Sequence, residues 1–250
     1  MPPTMAPGSV TGRIHSWDLS TGVDGPGTRF VLFTSGCPLR CLYCANPDTW
    51  RMRDGRATSV DKVMAAIDTY RDFLVTAGGG VTLTGGEPLL QPAFTGAVLR
   101  RCKEAGLHTA LDTSGFLGAR ACDAFLADTD LVLLDIKSFD VATYRKLTGG
   151  ALAPTLKFAT RLDRLGKRVW IRYVLVPGWT DDEDAVDGLA GFLAGLDCVE
   201  RVDILPFHKL GAAKYDALSI PFPLRDTPVP DRTLVERVRG QFRRHGLMAH

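Results

Sequence analysis

The chain has 250 residues, of which 45% are hydrophobic and 23% charged, and its formal net charge is +2. This composition is ordinary for a globular protein with a normal core, and it excludes a small scaffold held by disulfides. The small net charge gives no support to nucleic acid or a membrane surface as a bulk partner. We expect a single domain over residues 1–250, with the Pro-rich residues 1–11 as a flexible tail.

The N-terminal residues lack the apolar stretch of a secretion signal, and no apolar run is long enough to cross a bilayer. Six cysteines are too few for a disulfide framework in a chain of this length. These features predict a cytoplasmic protein whose thiols remain reduced. No long exposed apolar stripe is predicted, so we expect a monomer.

Six apolar, β-branched or aromatic runs predict strands, and a helix-like stretch follows each one. The predicted strands are Arg29–Ser35, Val81–Thr84, His108–Asp112, Leu131–Asp135, Val169–Val176 and Val202–Pro206. An initial segment, Gly12–Trp17, predicts one more strand at a sheet edge. The predicted helices are Ser59–Thr76, Phe94–Ala105, Arg120–Leu126, Asp140–Leu147, Thr155–Leu165, Asp182–Leu196 and Asp231–His245.

Alternating strands and helices imply an α/β fold with a parallel sheet and helices outside it. Six units are fewer than the eight of a full TIM barrel, so an open, partial (β/α)6 barrel is favoured. A doubly wound sheet is the alternative. Either architecture gathers functional residues at the carboxyl ends of the strands, where most of the unusual polar residues of this chain fall.

Three cysteines in the spacing C-x3-C-x2-C follow the first predicted strand: Cys37, Cys41 and Cys44. Three thiolates on one short loop suit three irons of a [4Fe–4S] cluster and leave the fourth iron open. A zinc site lacking one ligand and a redox Cys-x-x-Cys pair are the alternatives. The isolated cysteines are interpreted as small buried apolar residues: Cys102, Cys122 and Cys198.

Gly85, Gly86 and Glu87 follow the second strand and are completed by Pro88. Two glycines allow a ligand to approach the backbone, and the carboxylate suits an ammonium group, although the motif alone also fits a plain turn.

Other strand ends carry acids, which suit either a hard cation or a helix cap: Asp112 and Asp135. Arg172 lies within the fifth strand and needs a partner such as a carboxylate. Lys137 and His208 fit either a site or solvent. Asp24 begins a Gly-Pro-Gly turn on the approach to the cysteine loop, which keeps a substrate role open.

Together these motifs resemble the radical S-adenosylmethionine (SAM) family, and within it the activating proteins of glycyl radical enzymes. The resemblance is carried by residues 25–29 and 36–46, including the aromatic Tyr43, and by further segments along nearly the whole chain: 12–16, 78–82, 111–113, 169–173 and 176–179. The sequence departs from the pattern at Ala45, where many close relatives have His, and at Pro88, where some have Ala. Residues 45–80 contain no cysteine, so a single cluster is expected.

The resemblance implies a partial (β/α)6 barrel with one [4Fe–4S] cluster on the three clustered cysteines and SAM chelated to the open iron. It implies that Gly85, Gly86 and Glu87 hold the methionyl amino end, and that the backbone around Tyr43, Cys44 and Ala45 flanks the adenine. Further SAM contacts are expected at Asp135, Ile136, Lys137, Arg172 and His208. A monovalent cation is expected at Asp112, Thr113 and Asp135, and a contact with a peptide substrate at Asp24.

The activity implied by the resemblance is reductive cleavage of SAM to a 5′-deoxyadenosyl radical, which removes hydrogen from a glycine of a partner protein. The expected partners are a glycyl radical enzyme, pyruvate formate-lyase (formate acetyltransferase), and an electron donor of the flavodoxin or ferredoxin type. No side chain is expected to act as a general acid or base. A radical SAM enzyme acting on a small molecule and a non-catalytic iron–sulfur protein are the alternatives.

Overall fold

The computed structural model describes residues 10–250. Residues 1–9 of the expected tail lie outside the described residues, and Thr11 already belongs to the first strand. By its contacts the chain divides into two compact units. The first unit comprises residues up to 38, 49–113 and 119–133; the second comprises 39–48, 114–118 and 134–250.

Eight strands form one open sheet in the order β3-β1-β2-β4-β5-β6-β7-β8. The pairs β2–β4, β4–β5 and β7–β8 are parallel. The strand bounds are β1 Thr11–Thr21, β2 Thr28–Thr34, β3 Arg56–Ser59, β4 Gly80–Gly85, β5 His108–Thr113, β6 Leu131–Asp135, β7 Arg168–Leu175 and β8 Val199–Pro206. The predicted α/β class with an open, mostly parallel sheet is therefore confirmed, and all six predicted parallel-type strands are present.

The prediction that the initial segment forms an edge strand is wrong in one respect. β1 pairs antiparallel with β2 on one side and with the short strand β3 on the other, so β3 lies outside it. β3 has the sequence RATS, which lacks the apolar alternation of a predictable strand. It is a strand because Thr11–Ile14 of β1 offer it a pairing partner.

The helices have the following bounds: α1 Val60–Asp68, α2 Arg71–Thr76, α3 Pro92–Glu104, α4 Asp123–Ala127, α5 Val141–Thr148, α6 Ala153–Arg164, α7 Glu183–Ala194, α8 Ala212–Ala217 and α9 Arg232–Arg244. The single helix predicted over residues 59–76 is two helices, and the helix predicted from Arg120 begins at Asp123. α8 was not predicted.

The ends of these helices follow local chemistry. Ser59 caps α1 by accepting a hydrogen bond from the Lys62 backbone N–H (3.3 Å). Gly106 ends α3 with a φ of +75°, as expected for a residue that must adopt the left-handed conformation. Carboxylates cap three helices of the second unit: Asp140 for α5, Asp182 for α7 and Asp231 for α9.

The core of the first unit contains one charged side chain that the sequence did not single out. Arg29 of β2 is fully buried and donates hydrogen bonds to Thr82 Oγ1 (3.0 Å), the Val81 carbonyl (2.5 Å) and the His108 carbonyl (3.2 Å). Burial lowers the pKa of Arg29 to about 10, although Asp130 and Asp24 favour its charge. The guanidinium thus connects β2 to β4 and β5 from inside the sheet.

All six cysteines are free thiols. Cys102 and Cys198 are buried as predicted, whereas Cys122 is exposed, so its interpretation as a buried apolar residue is wrong. Cys122 precedes α4 as its N-cap residue, a position at the helix surface. Within residues 10–250, every helix is too short or too polar to span a membrane.

Candidate active site

The three clustered cysteines lie on the loop of residues 36–50, here called the cysteine loop. Backbone hydrogen bonds within the first unit join the two ends of this loop. After β2 the Gly36 N–H donates to the Thr49 carbonyl (2.7 Å), and the Cys37 N–H donates to the Trp50 carbonyl (3.1 Å). Gly36 has a φ of +98°, which turns the chain sharply out of the strand. The two ends of the loop are therefore fixed beside each other directly after a buried strand.

The middle of the loop belongs to the second unit, where the end of α5 holds it. The Arg40 N–H donates to the Thr148 carbonyl (2.8 Å), and the Leu42 N–H donates to the Leu147 carbonyl (2.9 Å). Leu39 is buried, and a Cβ on Gly150 would lie 2.6 Å from its side chain. The last carbonyls of a helix have no partner within the helix, so the loop satisfies them and gains a fixed position.

α8 contacts the loop just after its third cysteine. Lys214 Nζ donates to Asn46 Oδ1 (2.7 Å) and lies 3.1 Å from Asp48 Oδ2. A Cβ on Gly211 would lie 3.0 Å from the backbone of Ala45. Tyr215 is fully buried. Burial raises the pKa of its phenol, and charge on the nearby Cys44 and Cys41 thiols acts in the same direction. Sequence reasoning missed this contact, because α8 has only six residues, too few to show a helical apolar pattern.

The surroundings of Cys41 combine burial with one nearby cation. Burial raises the pKa of the Cys41 thiol to about 12, while Lys137 acts in the opposite direction. Burial is the largest single influence on Lys137 and disfavours its charge, but Asp135 (2.8 Å), Tyr43 and Cys41 together outweigh it and raise the pKa of Lys137. The Lys137 ammonium lies 5.8 Å from the centre of the Tyr43 ring, so Cys41, Tyr43, Asp135 and Lys137 form one cluster in the second unit.

Tyr43 contributes a buried polar atom to that cluster. The residue is 8% exposed, and among residues 10–250 its hydroxyl has no hydrogen-bond partner. Burial raises the pKa of the Tyr43 phenol, so it is neutral and able to donate. An unsatisfied buried hydroxyl is costly in a finished core, which favours a polar ligand beside it.

Gly85 and Gly86 have a structural role in the first unit. A Cβ on Gly85 would lie 2.3 Å from the Thr34 backbone nitrogen, and one on Gly86 would lie 2.3 Å from the Gly36 carbonyl oxygen. The Gly86 N–H donates to the Thr34 carbonyl (2.8 Å). The glycines therefore allow the end of β4 to lie against the base of the cysteine loop, which is a reason for glycine besides ligand approach.

Glu87 is a buried carboxylate, 1% exposed, at the same strand end. Its Oε1 accepts hydrogen bonds from the Thr113 hydroxyl (2.7 Å) and the Leu89 N–H (3.1 Å), and its own N–H donates to the Gly36 carbonyl (2.8 Å). The structure thus brings two predicted site residues, Glu87 and Thr113, into direct contact.

Asp112 and Asp24 lie along one row of β4 side chains. Asp112 Oδ2 accepts from the Thr84 hydroxyl (2.6 Å), and the Asp24 carbonyl accepts from the Thr82 hydroxyl (2.6 Å). Thr82 and Thr84 are two residues apart on a strand, so they face the same side of the sheet, about 7 Å apart. The Asp24 turn therefore folds onto the sheet face that carries Asp112.

The other predicted residues of the second unit lie after β6, within β7 and after β8. Ile136 is buried and its N–H donates to the Arg172 carbonyl (3.2 Å), which ties the end of β6 to β7. Arg172 is half-buried within β7. His208 follows β8 and is exposed, and its Nδ1 lies 3.3 Å from the Leu210 N–H. The role predicted for each of these residues stays a prediction.

The thiols of the loop suit an iron–sulfur cluster by their chemistry. Cys41 is partly buried and has a cation near it, and metal binding replaces the proton that burial otherwise retains on the sulfur. Within residues 10–250, no three His, Cys, Asp or Glu side chains converge to hold a single ion. In a cubane each cysteine binds a different iron, so such convergence is not required. The mononuclear zinc alternative gains no support.

Comparisons with known proteins show the family of the chain. The profile of the Radical SAM superfamily matches residues 31–189, a segment that begins in β2 and contains the cysteine loop. The chain belongs to the radical SAM superfamily.

Two curated relatives define a narrower family within the superfamily. The chain is 42% identical over 240 residues to the pyruvate formate-lyase 1-activating enzyme of Escherichia coli K12, covering 95% of this chain and 98% of the relative. It is 44% identical over 241 residues to the pyruvate formate-lyase-activating enzyme of Staphylococcus aureus USA300, covering 94% of this chain and 95% of the relative. The chain therefore belongs to the family of pyruvate formate-lyase activating enzymes.

A solved structure gives the same result for the fold. The crystal structure of a domain of pyruvate-formate lyase-activating enzyme from Bacteroides vulgatus has a TM-score of 0.59 and 28% sequence identity. The alignment covers 69% of this chain and 98% of that one.

Proposed function

We propose that this protein is a radical-generating activase that uses a [4Fe–4S] cluster and SAM to remove a hydrogen atom from a glycine of pyruvate formate-lyase. The observation that carries the proposal is the identity of 42% to 44% with activating enzymes of that protein over nearly the full length of each chain. The three-cysteine loop directly after a buried strand supports the same conclusion.

Cys37, Cys41 and Cys44 would hold the cluster and leave one iron open for SAM. When bound and reduced by one electron from the donor, cluster and SAM would supply a carbon radical, with methionine as the other product, that can abstract hydrogen. Glycine is a suitable target because its radical is delocalised over two flanking amides and no side chain blocks approach. The protein binds, orients and excludes water, so no side-chain acid or base is required.

Each unit carries residues that are proposed to contact SAM. In the first unit, Gly85, Gly86 and Glu87 are proposed to hold the methionyl amino group, since the carboxylate of Glu87 is buried and fixed by Thr113. In the second unit, the Tyr43–Ala45 backbone is proposed to flank the adenine. The remaining proposed SAM contacts are Asp135, Ile136, Lys137, Arg172 and His208.

A monovalent cation is proposed on Asp112, Thr113 and Asp135. The support is chemical: carboxylate and hydroxyl oxygens suit a hard cation, and the Thr84 hydroxyl orients Asp112. If the proposal is right, replacing potassium and sodium with a bulky organic cation weakens SAM binding in equilibrium dialysis. Unchanged SAM affinity in that medium would exclude the cation.

Asp24 is the proposed contact for the glycine-bearing peptide, because its turn lies on the sheet face that leads to Asp112. The proposed electron donor is a flavodoxin or ferredoxin. A monomer working in the cytoplasm is proposed as well, and the presence of six free thiols is consistent with a reducing compartment.

The experiment starts with anaerobic reconstitution, reduction and addition of SAM, followed by quantification of 5′-deoxyadenosine. Pyruvate formate-lyase is then added and its glycyl radical is sought by electron paramagnetic resonance. The proposal expects SAM cleavage and a partner radical. Absence of cleavage by the iron-loaded protein would overturn the enzymatic proposal, and cleavage with no partner radical would indicate another substrate.

A pair of cysteine variants provides the control. Cys41→Ala removes one proposed iron ligand and should lose both the cluster and SAM cleavage. Cys122→Ala removes an exposed thiol outside the cysteine loop and should retain both. Equal behaviour of the two variants would contradict the ligand assignment.

A further inference from the structure

α8 and Lys214 are a part of the second unit to which the proposed function assigns no role. The loop segment that follows Cys44 runs through Ala45, Asn46 and Asp48, and each of these residues is contacted from α8 or the glycine before it. Lys214 Nζ lies 2.7 Å from Asn46 Oδ1 and 3.2 Å from Asp48 Oδ1. One ammonium thus joins two side chains of the same short turn.

The contact is specific in geometry rather than a chance surface ion pair. The Lys214 side chain is 39% exposed and that of Asp48 is 24% exposed, so both are partly shielded. On the next residue, Tyr215 is fully buried and packs against Phe222, with ring centres 4.8 Å apart. That packing anchors α8, and an anchored α8 gives Lys214 a fixed place from which to hold the turn.

We propose that Lys214 is a positioning residue for the iron–sulfur cluster: it fixes the Asn46–Asp48 turn and thereby the orientation of Cys44. This inference rests on the proposed function, because it requires a cluster on the cysteine loop. The loop has two anchors in the second unit. The carbonyls of α5 hold residues 40 and 42 on one side of Cys41, and α8 holds residues 45 to 48 after Cys44.

Releasing the second anchor should loosen the loop without unfolding the protein. Groups that orient metal ligands typically change metal affinity about 10- to 100-fold when removed. A partly exposed ion pair contributes little to global stability, so the melting temperature of the variant should fall by less than about 2 °C. We therefore expect the variant that lacks the Lys214 ammonium to lose its cluster faster while its melting temperature stays nearly unchanged.

The test compares iron-loaded wild-type protein with Lys214→Met, Lys214→Arg and the exposed-lysine control Lys157→Met, all prepared without oxygen. Iron loss to an excess of a ferrous chelator is followed by the decay of the visible absorption of the cluster. Lys214→Met should lose iron about 10-fold faster, Lys214→Arg should lie close to wild type, and Lys157→Met should equal wild type. The reduced spectrum with SAM, recorded by electron paramagnetic resonance, should change only in Lys214→Met.

A second variant protects the test against a failure of folding. Asn46→Ala removes the acceptor instead of the donor and should also accelerate iron loss. Equal rates of iron loss in wild type, Lys214→Met and Asn46→Ala would overturn the role of Lys214 while leaving the proposed function intact. A wild-type protein that takes up no cluster would instead overturn the proposed function.

Discussion

The contact between Thr113 and Glu87 allows a quantitative test of the role proposed for Glu87. Thr113→Val keeps the shape of the side chain but removes the hydroxyl that donates to Glu87 Oε1 at 2.7 Å. Glu87 is 1% exposed and Thr113 is 2% exposed, so water does not replace the lost donor. A hydrogen bond to a charged group contributes about 1.5–3 kcal/mol, and we expect the variant to be about 2 kcal/mol less stable.

A matched variant distinguishes the charged acceptor from a neutral one. Thr95 is fully buried in the same unit, and its hydroxyl donates to the Pro88 carbonyl at 2.8 Å. Thr95→Val should therefore cost about 1 kcal/mol, roughly half as much.

Equilibrium urea unfolding, monitored by far-ultraviolet circular dichroism without oxygen, measures both variants. For a chain of this size a loss of about 2 kcal/mol lowers the melting temperature by about 4–8 °C. If Thr113→Val were no more destabilising than Thr95→Val, Glu87 would not be a buried carboxylate that depends on Thr113. The assignment of Glu87 as the group that receives an ammonium would then lose its main physical support.

Three further outcomes follow from the same contacts. In cluster-free protein at pH 8, iodoacetamide should label Cys41 far more slowly than the exposed Cys122. The reason is that a pKa raised from 9.0 to about 12 lowers the thiolate fraction of Cys41 about a thousandfold. Mass spectrometry of the peptides measures the labelling, and equal labelling of the two cysteines would contradict this prediction. Gly86→Ala should destabilise the protein by about 1–3 kcal/mol, because its Cβ would lie 2.3 Å from a backbone carbonyl oxygen. In Gly240→Ala, within α9, the added Cβ meets nothing within 4 Å, so this variant should be slightly more stable than wild type. Thermal melts that rank the two variants the other way would refute the packing argument. Arg29→Lys should lower the stability of the protein by about 3 kcal/mol, since an ammonium cannot reach the three acceptors that the planar guanidinium binds. A urea midpoint equal to that of wild type would show that the guanidinium is dispensable.

Five of the six parallel-type strands were predictable as apolar runs that are buried along most of their length, whereas β8 alternates buried and partly exposed residues. β6 matches its predicted bounds, Leu131–Asp135, and β5 differs only by the inclusion of Thr113. The short strand β3 was not predictable, since its four residues acquire strand structure only by pairing with β1. Similarly, the break between α1 and α2 carries no glycine or proline to mark it.

The motifs on which the candidate site rests are visible in the sequence, whereas the contacts that hold them in place are not. The cysteine spacing and the acids at strand ends are local patterns, which one chain displays without any knowledge of its fold. Arg29 and Lys214 depend on partners 52 to 168 residues away, so spacing within a motif does not reveal them. The glycines after β4 were expected to admit a ligand, whereas their Cβ positions are occupied by the protein's own backbone.

We propose that this protein transfers a hydrogen atom from a glycine of pyruvate formate-lyase to the deoxyadenosyl group of SAM. The decisive experiment mixes pyruvate formate-lyase that carries α-deuterated glycine with the reduced, iron-loaded protein and SAM, without oxygen. Mass spectrometry of the 5′-deoxyadenosine formed should then show one deuterium, in an amount matching the glycyl radical. Formation of 5′-deoxyadenosine without deuterium, and without a glycyl radical, would contradict it.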